Sequence, residues 1–135
     1  MIATENCFSS QLENKESKLR LNIEIRTTDD VTVISCTGRI VYRDEAVELS
    51  EKIAGLLPST RQLIIELSGV EIIDSAGLGE LALMLTWARA MGCAIKLAAP
   101  SDRVQHLLEL TNLASVFEIH PTLETALLGF SEQPV

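Results

Sequence analysis

The residues of this 135-residue chain best placed for chemistry are Asp74, Ser75, Ala76, Gly77, Leu78 and Gly79, which join a strand-like apolar run to a helix-like one. A hydroxyl at the start of a helix meets unpaired backbone N–H groups and partial positive charge, a setting that suits an anion such as a phosphate. Ser75 is therefore the first candidate. Asp and Ser are also ordinary N-caps, stabilising a helix by about 1 kcal/mol, and capping alone accounts for both residue types. Gly77 and Gly79 ask for more, because glycine inside a helical turn costs roughly 1 kcal/mol against alanine. They imply the close approach of the underlying sheet, of a partner, or of a nucleotide phosphate.

No other constellation competes with this corner. Gly77-Leu78-Gly79 lacks the third glycine of a dinucleotide fingerprint, no P-loop is present, and Ser75 has no nucleophile-elbow frame. His106 and His120 lie far apart and read as structural or solvated, and no His, Cys or acidic cluster has metal-ligand spacing. The expectation is a chain with no catalytic residues, no metal and no cofactor, and hence not an enzyme.

Composition narrows the partners. The formal charge of −8 repels nucleic-acid backbones and anionic lipid, and aromatic residues at 4% offer few stacking platforms for bases. Protein partners become the natural expectation, with no nucleic acid and no membrane insertion. Cys7, Cys36 and Cys93 show no pairing pattern, and the first residues lack the basic start and apolar run of a signal peptide. Both features point to a cytoplasmic protein. Hydrophobic residues make up 47%, enough for one domain to bury a core without staples.

The elements that must hold the corner follow from periodicity. Residues 1–18 are polar and aperiodic and read as a flexible N-terminal tail, leaving 19–131 as the single domain. Leu19, Leu21, Ile23 and Ile25 alternate with polar residues, predicting a half-buried strand, and Asp29-Asp30 turn it into a hairpin partner over Val31–Thr37 that ends at Gly38. A helix is expected from Asp44 to Leu57, closed by Pro58. Leu63–Leu67 and then Val70–Ile73 are strand-like, Leu78–Met91 is helical up to Gly92, and Cys93–Ala98 is a strand. Another helix is expected from Ser101 and Asp102 through Leu110, a short strand over Val116–Ile119, and a last helix over Leu123–Phe130 capped by Thr122. The class is α/β: a mixed sheet opening with an antiparallel hairpin, later strands parallel, and about four helices.

The long helix carries a second signal. At 100° per residue Leu78, Leu81, Met84, Leu85 and Ala88 share the side expected to pack on the sheet. Gly79, Ala82, Leu83, Thr86, Trp87 and Ala90 fall on the other side or its flanks, interrupted mainly by Glu80 and Arg89. An apolar outer side is covered by the chain itself, closes a homodimer, or meets a partner.

Taken together, Leu67-Ser68-Gly69-Val70, Ile72-Ile73-Asp74-Ser75-Ala76-Gly77-Leu78-Gly79, Leu107-Leu108-Glu109-Leu110-Thr111-Asn112-Leu113 and Pro121-Thr122-Leu123-Glu124-Thr125-Ala126 resemble the STAS domains, sulfate-transporter and anti-sigma-factor-antagonist modules. The resemblance spans about residues 20 to 130 and implies the STAS fold. It further implies an anti-sigma factor antagonist that binds an anti-sigma factor serine kinase, frees a sigma factor, and is switched off when that kinase phosphorylates Ser75. On that reading Asp74 orients the hydroxyl or caps the helix, while Ala76, Gly77, Gly79, Leu83 and Trp87 belong to the partner surface. One departure stands out. Many antagonists carry a carboxylate at the position of Val41, and here the nearest acidic residues are Asp44 and Glu45. The alternative reading is a STAS adaptor subunit of a lipid-transport ATPase or a signalling scaffold, in which the serine need not be phosphorylated.

Overall fold

The computed structural model describes residues 21–41 and 44–131, apart from the side chain of Asp44. The expected N-terminal tail therefore lies outside the described residues, as does Leu19 of the first expected strand. Strands β1 (Asn22–Thr28) and β2 (Val31–Ile40) form an antiparallel hairpin in which Thr28 pairs with Val31. Asp29 and Asp30 form its two-residue turn at φ 49° and 68°, the left-handed pair that such a tight turn requires and that Asp tolerates. Helix α1 (Asp44–Leu56) runs into a short 3-10 turn at Leu57–Ser59, where Pro58 fits because an opening turn needs no N–H from it. Then come β3 (Gln62–Ile73), α2 (Ser75–Ala90), β4 (Ala94–Ala98), α3 (Asp102–Leu110), β5 (Glu118–His120) and α4 (Leu123–Ser131).

The sheet order is β1-β2-β3-β4-β5, with every pair from β2 onward parallel. The period-2 alternation of β2 and β3 divides the sheet into two sides. Ile34, Leu63, Ile65 and Leu97 face one way and pack with Leu49 and Ile53 of α1, Leu81 and Leu85 of α2, and Val104 and Leu108 of α3 in the main core. Val31, Val33, Ile64 and Ala98 face the other way, where Ala126 and Phe130 of α4 cover them.

Several boundaries differ from the sequence expectation, and four of the differences have a clear local reason. β2 continues through Gly38, which sits at φ 111° beside a register shift, so that glycine bends the strand rather than ending it. β3 is continuous through Gly69, where a Cβ would stand 2.8 Å from the Thr37 hydroxyl. α2 starts at Ser75, three residues before Leu78, because Asp74 caps it. β5 starts at Glu118, because the backbone N–H groups of Val116 and Phe117 both bond to the Leu113 carbonyl.

Candidate functional site

The corner is built by the end of β3 and the first turn of α2. Asp74 is extended (φ −99°, ψ 170°), and its carboxylate accepts the Gly77 N–H at 2.6 Å, while the Leu78 N–H reaches the Asp74 carbonyl at 2.8 Å. The first bond satisfies one of the donors that a helix start leaves open, and the second is the first regular bond of the helix. Gly77 is buried. A Cβ there would lie 2.5 Å from the Ile40 carbonyl oxygen and 3.0 Å from the Asp74 carboxylate, so the first turn is pressed onto the end of β2. The close approach inferred for Gly77 is thus made by the protein's own strand. Around Gly79 a Cβ would meet nothing within 4 Å, and no internal contact requires that glycine.

Ser75 takes the first helical position on this anchored backbone. It is exposed, as are Asp74, Ala76 and Gly79, and its hydroxyl has no hydrogen-bond partner among the described residues. The structure therefore offers a serine whose backbone is fixed while its oxygen is open. Of the two acidic residues nearest to Val41, the side chain of Asp44 lies outside the described residues. Glu45 is buried beside Arg39, with its Oε1 3.7 Å from the Arg39 Nε, so its charge is committed inward.

Along α2, Leu78, Leu81, Leu85 and Ala88 are buried as expected, and Met84 is half-buried against the same core. Ala82, expected on the outer side, is also half-buried and packs on the core. Leu83 and Trp87 do face outward, at 71% and 50% exposed, and Met91 continues their line at 59%. Spacing by four residues stacks the three on one stripe. Met91 escaped the sequence reading because it was taken only as the end of the helix. Arg89 does not break the stripe: its guanidinium donates to the Val116 carbonyl at 2.9 Å and lies 5.5 Å from the Phe117 ring centroid.

Among the described residues, no other group holds chemistry comparable to the corner. Cys36 and Cys93 are buried and free, and burial first, then the nearby Glu66 charge, pushes the Cys36 thiol up to about 12, leaving it unreactive as a nucleophile. His106 is exposed, whereas His120 contacts the Glu118 carboxylate at 2.5 Å. That carboxylate also accepts from Lys96, itself 2% exposed beneath α4, a half-buried pairing that sequence reasoning missed. The alternation of Lys96 with Ile95 and Leu97 already put it on the second side of the sheet, but only α4 shows that side to be covered. The described residues hold no group of three potential metal ligands, and none of their helices is long and apolar enough to cross a membrane.

Known proteins share this architecture. A Thermotoga neapolitana homologue named as an anti-sigma factor antagonist is 35% identical over 66 residues, which is 49% of this chain and 58% of that protein. The match thus spans a little over half the length of that relative. The anti-sigma-B factor antagonist of Bacillus subtilis is 28% identical over 102 residues, covering 75% of this chain and 92% of that one. The crystal structure of an anti-sigma factor antagonist from Mycobacterium paratuberculosis superposes with a TM-score of 0.70 at 28% identity, covering 81% of this chain and 92% of the other. Residues 22–126 match the STAS domain, and this chain belongs to the STAS domain family.

Proposed function

We propose that the protein is an anti-sigma factor antagonist whose binding to an anti-sigma factor serine kinase is switched off by phosphorylation of Ser75. The single observation that carries this reading is the exposed Ser75 hydroxyl at the first position of a helix anchored by the Asp74 cap and by the Gly77 contact with β2. A kinase needs an acceptor oxygen that reaches its nucleotide and a backbone that does not wander, and this corner supplies both. The chain would serve as the acceptor: the γ-phosphoryl of ATP would pass to the serine oxygen within the partner's site, with ADP leaving and the hydroxyl proton taken by a base of the partner. The docking surface would join Asp74, Ala76 and Gly79 at the corner to Leu83 and Trp87 on the outer side of α2. Gly77, being buried, would shape that surface by letting the first turn sit down on β2.

The switch follows from charge. Phosphorylation adds nearly two negative charges at a point that the docked kinase covers. Desolvating or repelling them in an interface costs several kcal/mol, and about 3 kcal/mol already lowers affinity roughly 100-fold. The test is incubation with the cognate kinase and ATP, peptide mass spectrometry, and calorimetry of both forms. One phosphate on Ser75, lost in Ser75→Ala, and a loss of affinity near two decades are expected. A phosphate elsewhere with Ser75 unmodified, or equal affinity of both forms, would overturn the reading. Recovery of a transporter ATPase rather than a kinase from the native extract, with Ser75→Ala silent, would establish the adaptor alternative instead.

A further inference from the structure

Among the described residues β1 pairs with β2 alone, which makes it an open edge of the sheet. Its residues Asn22–Thr28 run in unbroken register with no proline and no bulge, so neither of the backbone devices that blunt an exposed edge is present. The two-residue turn at Asp29-Asp30 closes on Thr28 and Val31, and the closing pair of such a turn exchanges backbone bonds. Alternation then gives Glu24, Arg26 and Thr28 the bonds to β2 and turns the N–H and C=O groups of Ile23, Ile25 and Thr27 outward. The side chains divide in the same rhythm. Ile25 lies opposite Ile34 on the main-core side yet stays 41% exposed, whereas Glu24 and Arg26 stand on the other side with side chains 85% and 46% exposed. Ser35 accepts from the Arg26 guanidinium at 3.1 Å and the Glu66 carboxylate lies 4.0 Å from it, which fixes the guanidinium in place beside the far more exposed Glu24.

We propose that β1 is a self-pairing edge, to which a second copy of this chain adds its own β1 antiparallel with Ile25 opposite Ile25. In that register the outward backbone groups of Ile23 meet those of Thr27, and those of Ile25 meet their own copies, so each finds a partner. Glu24 falls opposite Arg26 twice, at the non-hydrogen-bonded positions where side chains stand closest. Ile25 covers Ile25 on the other side of the sheet. A slip of two residues either way keeps the backbone bonds but sets Glu24 against Glu24 or Arg26 against Arg26, which like charges disfavour. Charge thus selects both the occupant and the register. The interface is isologous and closes at two copies, joining two five-stranded sheets into one. It uses none of the residues assigned to the kinase and does not rest on the proposed function.

The experiment is sedimentation of the full chain over a concentration series, with amide hydrogen exchange read by NMR at both ends of it. A monomer–dimer equilibrium is expected in which the Ile23, Ile25 and Thr27 amides gain protection with concentration. The Glu24 and Arg26 amides, turned toward β2, should be protected throughout, and Trp87 emission should stay constant. Ile25→Pro removes only an outward donor, a change that an edge strand tolerates, and should leave a folded monomer. Glu24→Lys sets like charges opposite each other at both ends of the interface and should raise the dissociation constant at least about tenfold, two unfavourable pairs replacing two favourable ones. Glu24→Lys chains mixed with Arg26→Glu chains should form a mixed dimer where neither associates alone; urea unfolding checks that each variant is folded, and if Arg26→Glu is not, the other two variants still decide. A monomer at every concentration, a dimer that Ile25→Pro and Glu24→Lys leave intact, or a dimer that shifts Trp87 emission while the three outward amides stay open would each overturn the proposal. Protection of those amides at every dilution would overturn it too, by giving the edge to residues 1–20 of the same chain.

Discussion

Leu81 and Leu83 are the same residue type two positions apart on α2, yet one is 2% exposed and the other 71%. Gly77 and Gly79 repeat the contrast one turn earlier: a Cβ at the first would strike the Ile40 carbonyl, and at the second it would meet open space. The inner side of the helix is explained by the fold, since Leu78, Leu81, Leu85 and Ala88 complete the main core. Packing within the described residues gives no such reason for the outer side, where Leu83, Trp87 and Met91 stack above one another. Burial by the sheet thus accounts for the apolar character of one side of the helix, and the proposed function assigns that of the other side to association.

The largest expected effects test the inner side. Leu85→Ala should cost about 3 to 4 kcal/mol, the range for truncating a fully buried leucine, whereas Leu83→Ala should stay within about 0.5 kcal/mol, as surface substitutions do. Urea unfolding of the two variants checks the pair. Similar losses would mean that Leu83 is buried in solution, and the division of the helix would collapse.

Much of this arrangement was legible in the sequence, because alternation and helical spacing are direct records of burial. Ile23 and Ile25 marked β1, although Ile25 stays 41% exposed and Leu21 falls just before the strand, and Leu78, Leu81 and Leu85 marked the inner side of α2. Glycines were the main source of misplacement. Gly38 reads as a strand end and Gly69 as part of a gap between strand-like runs, but both stand where β2 and β3 slip register, Gly38 at a positive φ and Gly69 close against Thr37 and the Cys36 carbonyl. The early start of α2 was hidden because Ser75, Gly77 and Gly79 are weak helix formers; the Asp74 cap and the packing of Gly77 override that preference. The Ser75 corner was readable because a strand, a cap and a helix adjoin in sequence. Lys96, Glu118 and His120 were not, because their meeting depends on β4 pairing with β5 and on α4 crossing behind them.

That cluster supplies a control for the comparison. Hydrogen bonds from Lys96 first, and then His120, hold the Glu118 carboxyl below its ordinary range. A depressed folded value means that the stabilisation is complete above the unfolded carboxylate range near pH 4.3 and is lost as pH falls through the lower folded value. Glu118→Gln should cost about 2 kcal/mol at neutral pH, less than the ~3 to 5 kcal/mol for breaking a fully buried pair because half of the Glu118 side chain meets solvent. The deficit should shrink in acid, while the Leu85→Ala deficit should not follow the same curve. A pH-independent Glu118→Gln deficit would show that its loss is one of packing, like that of α2.

Smaller effects belong to the outer side and to binding. Leu83→Asp and Trp87→Ala should leave the unfolding transition in place yet weaken partner binding by roughly 1 to 3 kcal/mol each, as apolar anchors do. Trp87 is the only tryptophan, so emission reports on this stripe alone. Red-shifted, readily quenched fluorescence that moves blue with the partner is expected. Emission that changes with protein concentration, together with a dimer in sedimentation, would instead assign the stripe to self-association.

The smallest change separates the two glycines. Gly79 has no neighbour within 4 Å of a built Cβ and is absent from the positive-φ positions, so Gly79→Ala should stabilise the protein by about 0.5 to 1 kcal/mol through lost freedom in the unfolded chain and better helix propensity. Gly77→Ala must instead push the first turn off the Ile40 carbonyl and should destabilise. If a partner or its nucleotide comes close at the corner, Gly79→Ala will tighten the fold and weaken binding at once, a combination that internal packing cannot produce. Thermal melts with calorimetry on the same samples give both readings. A stabilised protein with unchanged affinity would remove Gly79 from the docking surface and leave the outer side of α2 to Leu83 and Trp87.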